Sequence, residues 1–286
     1  MTDTGGLPAL TGGPQPDLDS GTTALWSALA GARVIDLAQP MRRGMPQSPN
    51  HPPFRMVIER RHGDLVRADG GSAANEVIIT GGHVGTHVDA LAHVSQDGLV
   101  HGGRPAGAAQ SHEGFAELGI ETFDPYVGRA VLLDVAAIHG TAVLPAGYEI
   151  TPDDLEQAAG HTRIAPGDAV LIGTGWSRRW DEGAAFVGLA DGVPGPGVAA
   201  ARWLAERAPR VVGGETIAFE HLGAGRGHAT LPVHRILLVE HGINIVETMN
   251  LAPLLDTGAR EFLFVLNPLP IVGATGAPVR PLAVLP

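Results

Sequence analysis

A chain of 286 residues with 44% hydrophobic content is long enough to form one large domain or two small ones with a substantial core. Its formal net charge of −11, without any basic run, argues against a nucleic-acid partner. The absence of cysteine and lysine excludes thiolate nucleophiles, cysteine-based zinc sites, Schiff bases and a phosphate-binding lysine. Metal, carboxylate, histidine or serine chemistry remains.

The N-terminal segment carries no targeting signal that we recognise. It lacks the basic start and apolar core of a signal peptide, and no segment approaches the roughly twenty apolar residues of a membrane span. We therefore expect a cytoplasmic protein that has no membrane partner. Residues 1–20 are rich in Gly, Pro, Thr and Asp, which predicts a disordered or loosely attached arm. Residues 21–286 are expected to form one domain.

Apolar periodicity predicts strands that alternate with helices along this domain. Thr151-Pro-Asp-Asp is typical of a helix start, with an N-cap threonine, a proline at the first helical position and acidic residues in the first turn. Further helices are predicted at residues 198–207 and 232–241. Strands are predicted at residues 33–37, 54–59, 77–80, 130–135, 169–174, 210–213, 243–248, 263–266 and 279–285. This order indicates an α/β (mixed α+β) fold, with a mixed β-sheet core and flanking helices.

Metal-binding residue types are concentrated between His83 and His93, at the spacing His-x3-His-x-Asp-x3-His. Imidazole nitrogen and carboxylate oxygen are ligands that zinc, manganese and ferrous iron share, and a catalytic site uses about three of them. His83, His87 and Asp89 supply such a set. The apolar run at residues 77–80 predicts a buried strand directly before it.

His93 follows Asp89 by four residues. If a helix begins near Ala90, the His93 ring points back at the metal-activated water without binding the metal itself. This placement predicts a general acid or base.

The motif and its surroundings resemble the cyclase family of metal-dependent hydrolases, which includes bacterial kynurenine formamidase, isatin hydrolase and related lactam- and lactone-opening enzymes. The resemblance covers most of residues 33–270. Its core is the signature His-x-Gly-Thr-His-x-Asp-x3-His, matched by His83, Gly85, Thr86, His87, Asp89 and His93. Supporting segments are Ile35-Asp-Leu-Ala-Gln-Pro, Gly44-Met-Pro, Thr174-Gly-Trp, Gly213-Gly-Glu-Thr with Glu220, and His234-x2-Leu-Leu followed by Glu247.

Two departures separate this chain from the formamidases. Asp89-Ala-Leu stands where formamidases usually carry Asp-x-Pro, and the chain is longer than the compact formamidases. Both features are more similar to the isatin hydrolase branch. Glu215 stands where an aspartate is expected, which leaves the role of that segment open.

The resemblance implies that His83, His87 and Asp89 bind a divalent metal, Mn²⁺ or Zn²⁺, and that His93 is the acid/base. In dinuclear members a later histidine and glutamate hold a second ion, and His234 and Glu247 match that pair. One or two ions per chain are therefore implied, and the likeness to isatin hydrolase favours one.

The same resemblance implies a hydrolase that opens a small cyclic amide, such as an isatin-like compound or a lactam, by attack of a metal-activated water on the carbonyl. An arylformamidase acting on N-formylkynurenine and a lactone hydrolase remain alternatives. The residues alone also leave open a non-haem iron oxygenase, with His87, Asp89 and a distant histidine as its triad, and a metal-binding sensor or scaffold. We expect a homodimer or homotetramer.

Candidate pocket residues are less clearly indicated by the sequence. Phe54 and Trp176 are candidates for lining an apolar pocket, although core packing is an equally good interpretation of each. His221 is a further candidate for the substrate pocket. His221 and His228 both lie in a glycine-rich stretch, which favours loop residues over metal ligands.

Overall fold

The computed structural model describes residues 20–286, so residues 1–19 of the predicted arm lie outside the described residues. Val34–Leu285 form one compact unit, and the helix α1 (Ser20–Leu29) is described by itself. Within residues 20–286, every helix is too short or too polar to cross a membrane.

The strands, in chain order, are β1 (Arg33–Asp36), β2 (Arg55–Arg60), β3 (Asn75–Ile79), β4 (His87–Asp89), β5 (Leu99–Val100), β6 (Arg104–Pro105), β7 (Gln110–Ser111), β8 (Gly114–Phe115), β9 (Tyr126–Asp134), β10 (Glu149–Ile150), β11 (Ala169–Gly173), β12 (Gly195–Pro196), β13 (Val211–Gly214), β14 (Asn244–Glu247), β15 (Glu261–Leu266), β16 (Gly276–Pro278) and β17 (Leu282–Leu285).

The remaining α-helices are α2 (Ala106–Ala109), α3 (Val135–Ile138), α4 (Pro152–Ala159), α5 (Ala184–Val187), α6 (Val198–Glu206), α7 (Pro232–His234) and α8 (Ala252–Leu255). Helix α7 continues directly as a π-helix, Arg235–Glu240. Short 3₁₀ helices are His101–Gly103, Ile120–Thr122 and Trp176–Glu182.

A mixed sheet organises the unit. Across the described chain, its nine strands follow the order β1-β17-β15-β9-β11-β13-β14-β4-β16. The central strands β9, β11, β13 and β14 run parallel, and helical crossovers connect them. The pairs β14 with β4, β4 with β16, β9 with β15 and β15 with β17 are antiparallel. This arrangement confirms the predicted single-domain fold with a mixed sheet core.

Apolar side chains cover both faces of this sheet. Neighbouring residues of β9 point to opposite faces, so that Leu133 packs into one core cluster and Leu132 into another. The first cluster includes residues of α4 and α6, such as Leu155 and Leu204. Burial on both faces explains why the central strands are continuous apolar runs.

The order of the predicted elements agrees well with the structure. The predicted start of α4 is confirmed by a capping box, in which the Thr151 side chain accepts from the Asp154 amide and the Asp154 side chain accepts from the Thr151 amide. The predicted strand at 279–285 is wrong in extent. Only its second half forms β17, and residues 279–281, which end in Pro281, connect β16 to that strand.

Two expectations around the histidine motif are also wrong. Strand β3 forms, but it pairs only with β2 in a hairpin and all five of its residues are exposed, so the segment at 77–80 is not a buried strand. No helix follows β4, because the chain makes a turn in which the His93 amide donates to Ala90 O at 3.0 Å.

Candidate metal centre

Asp89 is the centre of a cluster of histidines and carboxylates. It is fully buried (0% exposed) at the end of β4. Its Oδ1 lies 2.7 Å from His83 Nδ1 and 3.4 Å from His87 Nε2, and its Oδ2 lies 3.5 Å from His234 Nε2. Oδ2 has no hydrogen-bond partner among the described residues. A buried carboxylate is unfavourable without full pairing, which fits a place for a cation.

Two sets of ligand atoms meet at this carboxylate. His83, Asp89 and His93 form one set, and His87, Asp89 and Glu247 form the other, with all ligand atoms of each set within 4.8 Å of one another. The structure therefore brings the predicted ligands together around Asp89. It also places His93 within ligand reach, beside His83. The nitrogen and oxygen donors suit zinc, manganese or iron.

Strand pairing places Glu247 opposite His87. In the antiparallel pair of β14 and β4, these two residues are direct partners, and Glu247 Oε2 lies 3.4 Å from His87 Nε2. His87 Nδ1 donates to the carbonyl of Gly85 at 2.8 Å, so Nε2 is the nitrogen left for a metal. Gly85 has a φ of +72°, a conformation that glycine adopts without strain.

Glu220 orients His234. One carboxylate oxygen of Glu220 accepts from His234 Nδ1 at 2.6 Å and from the His234 amide at 3.0 Å, and the other accepts from the Val233 amide at 3.2 Å. His234 Nε2 is then free to face Glu247 Oε1, at 3.0 Å. A carboxylate that fixes a histidine in this way sets its tautomer and its ring orientation. The sequence indicates Glu220 only as part of a supporting segment.

The rings of His51, His83 and His93 form a stack. The centroids of His83 and His93 are 3.8 Å apart, and those of His51 and His83 are 5.2 Å apart. His83 Nε2 lies 2.9 Å from Thr275 Oγ1, and a Cβ on Gly276 would lie 2.5 Å from the His83 ring. The glycine therefore makes room for this ring.

Two histidines outside the predicted ligand set lie near the centre. His51 lies in a proline-rich segment with no motif of its own, so no local signal identifies it. His228 is predicted to be a loop residue, and it does lie in a loop, where its Nδ1 is 3.0 Å from Asn50 Nδ2. Burial lowers the pKa of His228, while the charge of Glu247 opposes this effect. Its Nε2 is buried and has no partner among residues 20–286.

Burial and the charges of the cluster shift the pKa values of its histidines. Burial lowers the pKa of His87, but hydrogen bonds to Asp89 and Glu247 outweigh burial and raise it to about 10. Burial also lowers the pKa of His234, but its contacts with the carboxylates of Asp89 and Glu220 outweigh burial in the same way and raise that pKa. Burial lowers the pKa of His93 to about 3, against the attraction of Asp89. His93 is therefore neutral near pH 7.

The candidate pocket residues lie in different surroundings. Phe54 is buried in an apolar cluster with Trp176. Trp176 has no exposed surface, and its Nε1 donates to Phe186 O at 2.9 Å. His221 Nε2 donates to Gly147 O at 3.0 Å. A role of Phe54, Trp176 or His221 in substrate binding stays a prediction.

Glu215 holds a loop rather than the cluster. One oxygen accepts from the amide and hydroxyl of Thr174, at 2.6 and 2.8 Å, and the other accepts from the amide and hydroxyl of Ser177, at 3.2 and 2.5 Å. Burial raises the pKa of Glu215, although these hydrogen bonds act against it. The residue therefore anchors the segment that follows β11.

The family model described as "Putative cyclase" matches residues 35–221, more than half of the chain. The chain belongs to the cyclase family. Membership confirms the resemblance carried by the histidine motif, and the match includes that motif and the segment that ends in Glu220.

Solved structures agree with this membership along nearly the whole chain. The cyclase chain is similar to a crystal structure described as a novel cyclase, with 29% identity and a TM-score of 0.80 over 91% of each chain. It is also similar to isatin hydrolase A from Ralstonia solanacearum, at 25% identity and a TM-score of 0.72 over 95% of this chain and 100% of that one. Isatin hydrolase A from Labrenzia aggregata, bound to benzyl benzoate, matches at 26% identity and a TM-score of 0.70 over 93% of this chain and 99% of that one. Two of these three solved relatives are described as hydrolases.

Proposed function

We propose that the chain is a metal-dependent hydrolase that opens a small cyclic amide, such as an isatin-like compound or a lactam. The observation that carries the proposal is the buried cluster in which Asp89 is shared by His83 and His93 on one side and His87 and Glu247 on the other. The similarity to two isatin hydrolases over more than nine-tenths of the chain supports the substrate class.

Each side chain has a defined task in this proposal. A divalent metal bound by His83, His87 and Asp89 would supply a water whose pKa is lowered to about 7, and it would polarise the amide carbonyl. The His93 ring lies beside that of His83, with centroids 3.8 Å apart, and one of its nitrogens would take the proton of the water. The new carbon–oxygen bond forms, the carbon–nitrogen bond breaks, and His93 returns the proton to the leaving nitrogen.

The cofactor that we propose is Mn²⁺ or Zn²⁺, with one ion per chain as the expected count. His234 and Glu247 offer ligands for a second ion. His234 Nε2 lies 3.5 Å from Asp89 Oδ2 and 3.0 Å from Glu247 Oε1, and Glu247 Oε2 lies 3.4 Å from His87 Nε2. Anomalous diffraction from metal-loaded crystals distinguishes the two counts. Two well-occupied peaks within about 4 Å, the spacing of two-metal sites, would overturn the single-ion expectation.

A substrate screen tests the proposed activity. Purified protein is analysed for bound metal and then assayed with isatin, γ-lactams, N-formylkynurenine and lactones, before and after chelation. Metal-dependent opening of isatin or a lactam supports the proposal. Activity confined to N-formylkynurenine or to lactones would instead assign the arylformamidase or the lactone hydrolase alternative. A metal-loaded protein that hydrolyses none of these classes contradicts the proposal.

A further inference from the structure

A cleft of about 300 Å³ lies at the start of the parallel strands β13 and β14. Arg210, which directly precedes β13, lies beside Asn244, the first residue of β14, because the two strands pair in parallel. Leu91 and Phe123 contribute apolar walls to the cleft, and Thr122 contributes a polar one. One cation between apolar and polar walls is a combination that suits a small ligand.

The cleft is separate from the metal centre but adjoins it. The lining residues that the structure describes include none of the side chains of the centre. Asn244 nevertheless connects the two, since its Oδ1 accepts from Arg210 and its Nδ2 donates to Asp89 O at 2.7 Å. A ligand in the cleft would therefore lie behind the backbone of Asp89 without touching the metal.

The guanidinium of Arg210 is held in place but has few partners. Its Nη1 donates to Asn244 Oδ1 at 2.8 Å, and its Cζ lies 4.4 Å from the centroid of the Phe123 ring. Its other N–H groups have no acceptor among residues 20–286. A planar guanidinium that is stacked on an aromatic ring and keeps free N–H groups is pre-organised to bind a carboxylate through two parallel hydrogen bonds.

The positive charge of Arg210 lacks a close counterion. Burial lowers the pKa of Arg210, and the charges of Asp124 and Tyr126 oppose this effect. Asp124 also lines the cleft, but it is exposed, and within the described part of the chain Arg210 forms no ion pair. An anion in the cleft would supply the missing charge. A monoanion suits the site better than a dianion, because Asp124 repels each added negative charge.

The size and the walls of the cleft favour an organic anion. About 300 Å³ is at the lower end of the range for small-molecule sites, which leaves room for a single ring or a short aliphatic chain. The side chains of Leu91 and Phe123 offer such a ligand an apolar surface that an inorganic anion cannot use.

We infer that this cleft binds a small organic monocarboxylate, held by two parallel hydrogen bonds from the Arg210 guanidinium and by apolar contact with Leu91. The site does not rest on the proposed function, although the ring opening proposed there releases a carboxylate of this class.

Titration calorimetry of the metal-loaded full chain with benzoate tests the site. Benzoate should bind with a dissociation constant of about 1 mM or tighter. Arg210→Gln removes the charge and the paired donors, so it should weaken binding at least about tenfold. The control is Arg163→Gln, because Arg163 is exposed and lies outside the lining of the cleft, and it should bind as the wild type does. Inorganic phosphate at pH 8 should bind at least about tenfold more weakly than benzoate.

A second variant tests the site without changing Arg210. Thr122 is exposed at the cleft, so Thr122→Glu brings in a repelling carboxylate and should also weaken benzoate binding at least about tenfold. Gln157→Glu, at an exposed position of α4, is the matched control and should leave binding unchanged. Melting temperatures show whether each variant is folded.

The titrations are repeated after chelation, because a carboxylate can also bind a resident metal. Binding that depends on Arg210 should persist without metal. Four outcomes would each overturn the inference: no benzoate binding, benzoate binding that both cleft variants leave unchanged, benzoate binding that disappears on chelation, or phosphate binding as tight as that of benzoate.

Discussion

Asp89 is the residue on which the whole cluster depends. Both ligand sets include it, and both of its oxygens face histidines. Asp89→Ala should therefore remove bound metal and hydrolytic activity together. Elemental analysis and the hydrolysis assay measure this, with Asp153→Ala as a control, because Asp153 is exposed on α4. If the Asp89 variant keeps a full complement of metal, the ligand assignment is wrong.

His93 has two competing roles that metal content can separate. The structure places it within ligand reach, but three other side chains already suit an open catalytic site. We expect His93→Ala to keep its metal while kcat falls about a hundredfold or more, the scale of a lost general acid/base. The acid limb of kcat/KM should be lost or shifted in the same variant. His112→Ala, at an exposed histidine, is the control; a metal-free His93→Ala would make His93 a ligand.

Glu220 and Glu215 form a matched pair of buried carboxylates with different partners. Glu220→Gln weakens the bond that orients His234 and should reduce metal affinity about 10- to 100-fold, the usual effect of such a partner. Glu215→Gln should instead lower the free energy of unfolding by about 1–3 kcal/mol, because one pair of donors loses its acceptor. Metal titration and thermal unfolding of both variants measure the difference. Equal metal affinity in the two variants would remove Glu220 from the centre.

At the scale of the elements, helix α4 depends on its N-terminal cap. Burial would raise the pKa of Asp154, but hydrogen bonds from Thr151, His139 and Tyr148 outweigh burial, so its pKa is lowered. A lowered folded-state pKa stabilises the protein above the unfolded pKa of about 3.9, and this stabilisation is lost as the pH falls further.

Asp154→Asn should therefore destabilise the protein by about 1 kcal/mol at neutral pH, and the difference from the wild type should shrink below about pH 4. Chemical unfolding at pH 7, 4 and 3 measures this change. Asp153→Asn is the control from the same helix turn, since Asp153 is exposed. A pH-independent difference for Asp154→Asn would mean that the carboxylate charge is not what stabilises the cap.

The elements were predicted best where the chemistry is local. Periodicity and capping residues identified α4 and α6 and the parallel strands, because those signals act within a few residues. The exposure of β3 was missed, since an apolar run does not reveal whether its strand joins the main sheet or a separate hairpin. Local helix propensity also does not predict that the helix after His234 is a π-helix.

At the scale of the whole molecule, metal binding should be linked to pH and to stability. Without metal, burial lowers the pKa of His87 and of His234, but contacts with buried carboxylates outweigh burial. The pKa of His87 therefore rises to about 10, and the pKa of His234 rises as well. Both side chains therefore bind protons near neutral pH. A metal held by His87 must displace the proton of that residue, and its affinity should rise with pH by about tenfold per pH unit for each proton released. A metal that binds only the folded state also raises its stability.

The melting temperature should consequently fall after chelation, and added Zn²⁺ or Mn²⁺ should raise it more at pH 8 than at pH 6. Thermal unfolding with and without metal at both values measures this. The Asp89→Ala variant is the control, and it should show no rise at either pH. A wild-type melting temperature that is insensitive to metal would contradict a resident ion.

By itself, the sequence determined the fold class, the family and the candidate ligands between residues 83 and 93, because turn chemistry, periodicity and a short motif are properties of adjacent residues. Only the tertiary structure decided that Glu247 stands opposite His87, that Glu220 orients His234 and that His51 and His228 adjoin the centre. These contacts depend on strand register and on loops that are distant in the chain, and no local pattern encodes such long-range packing.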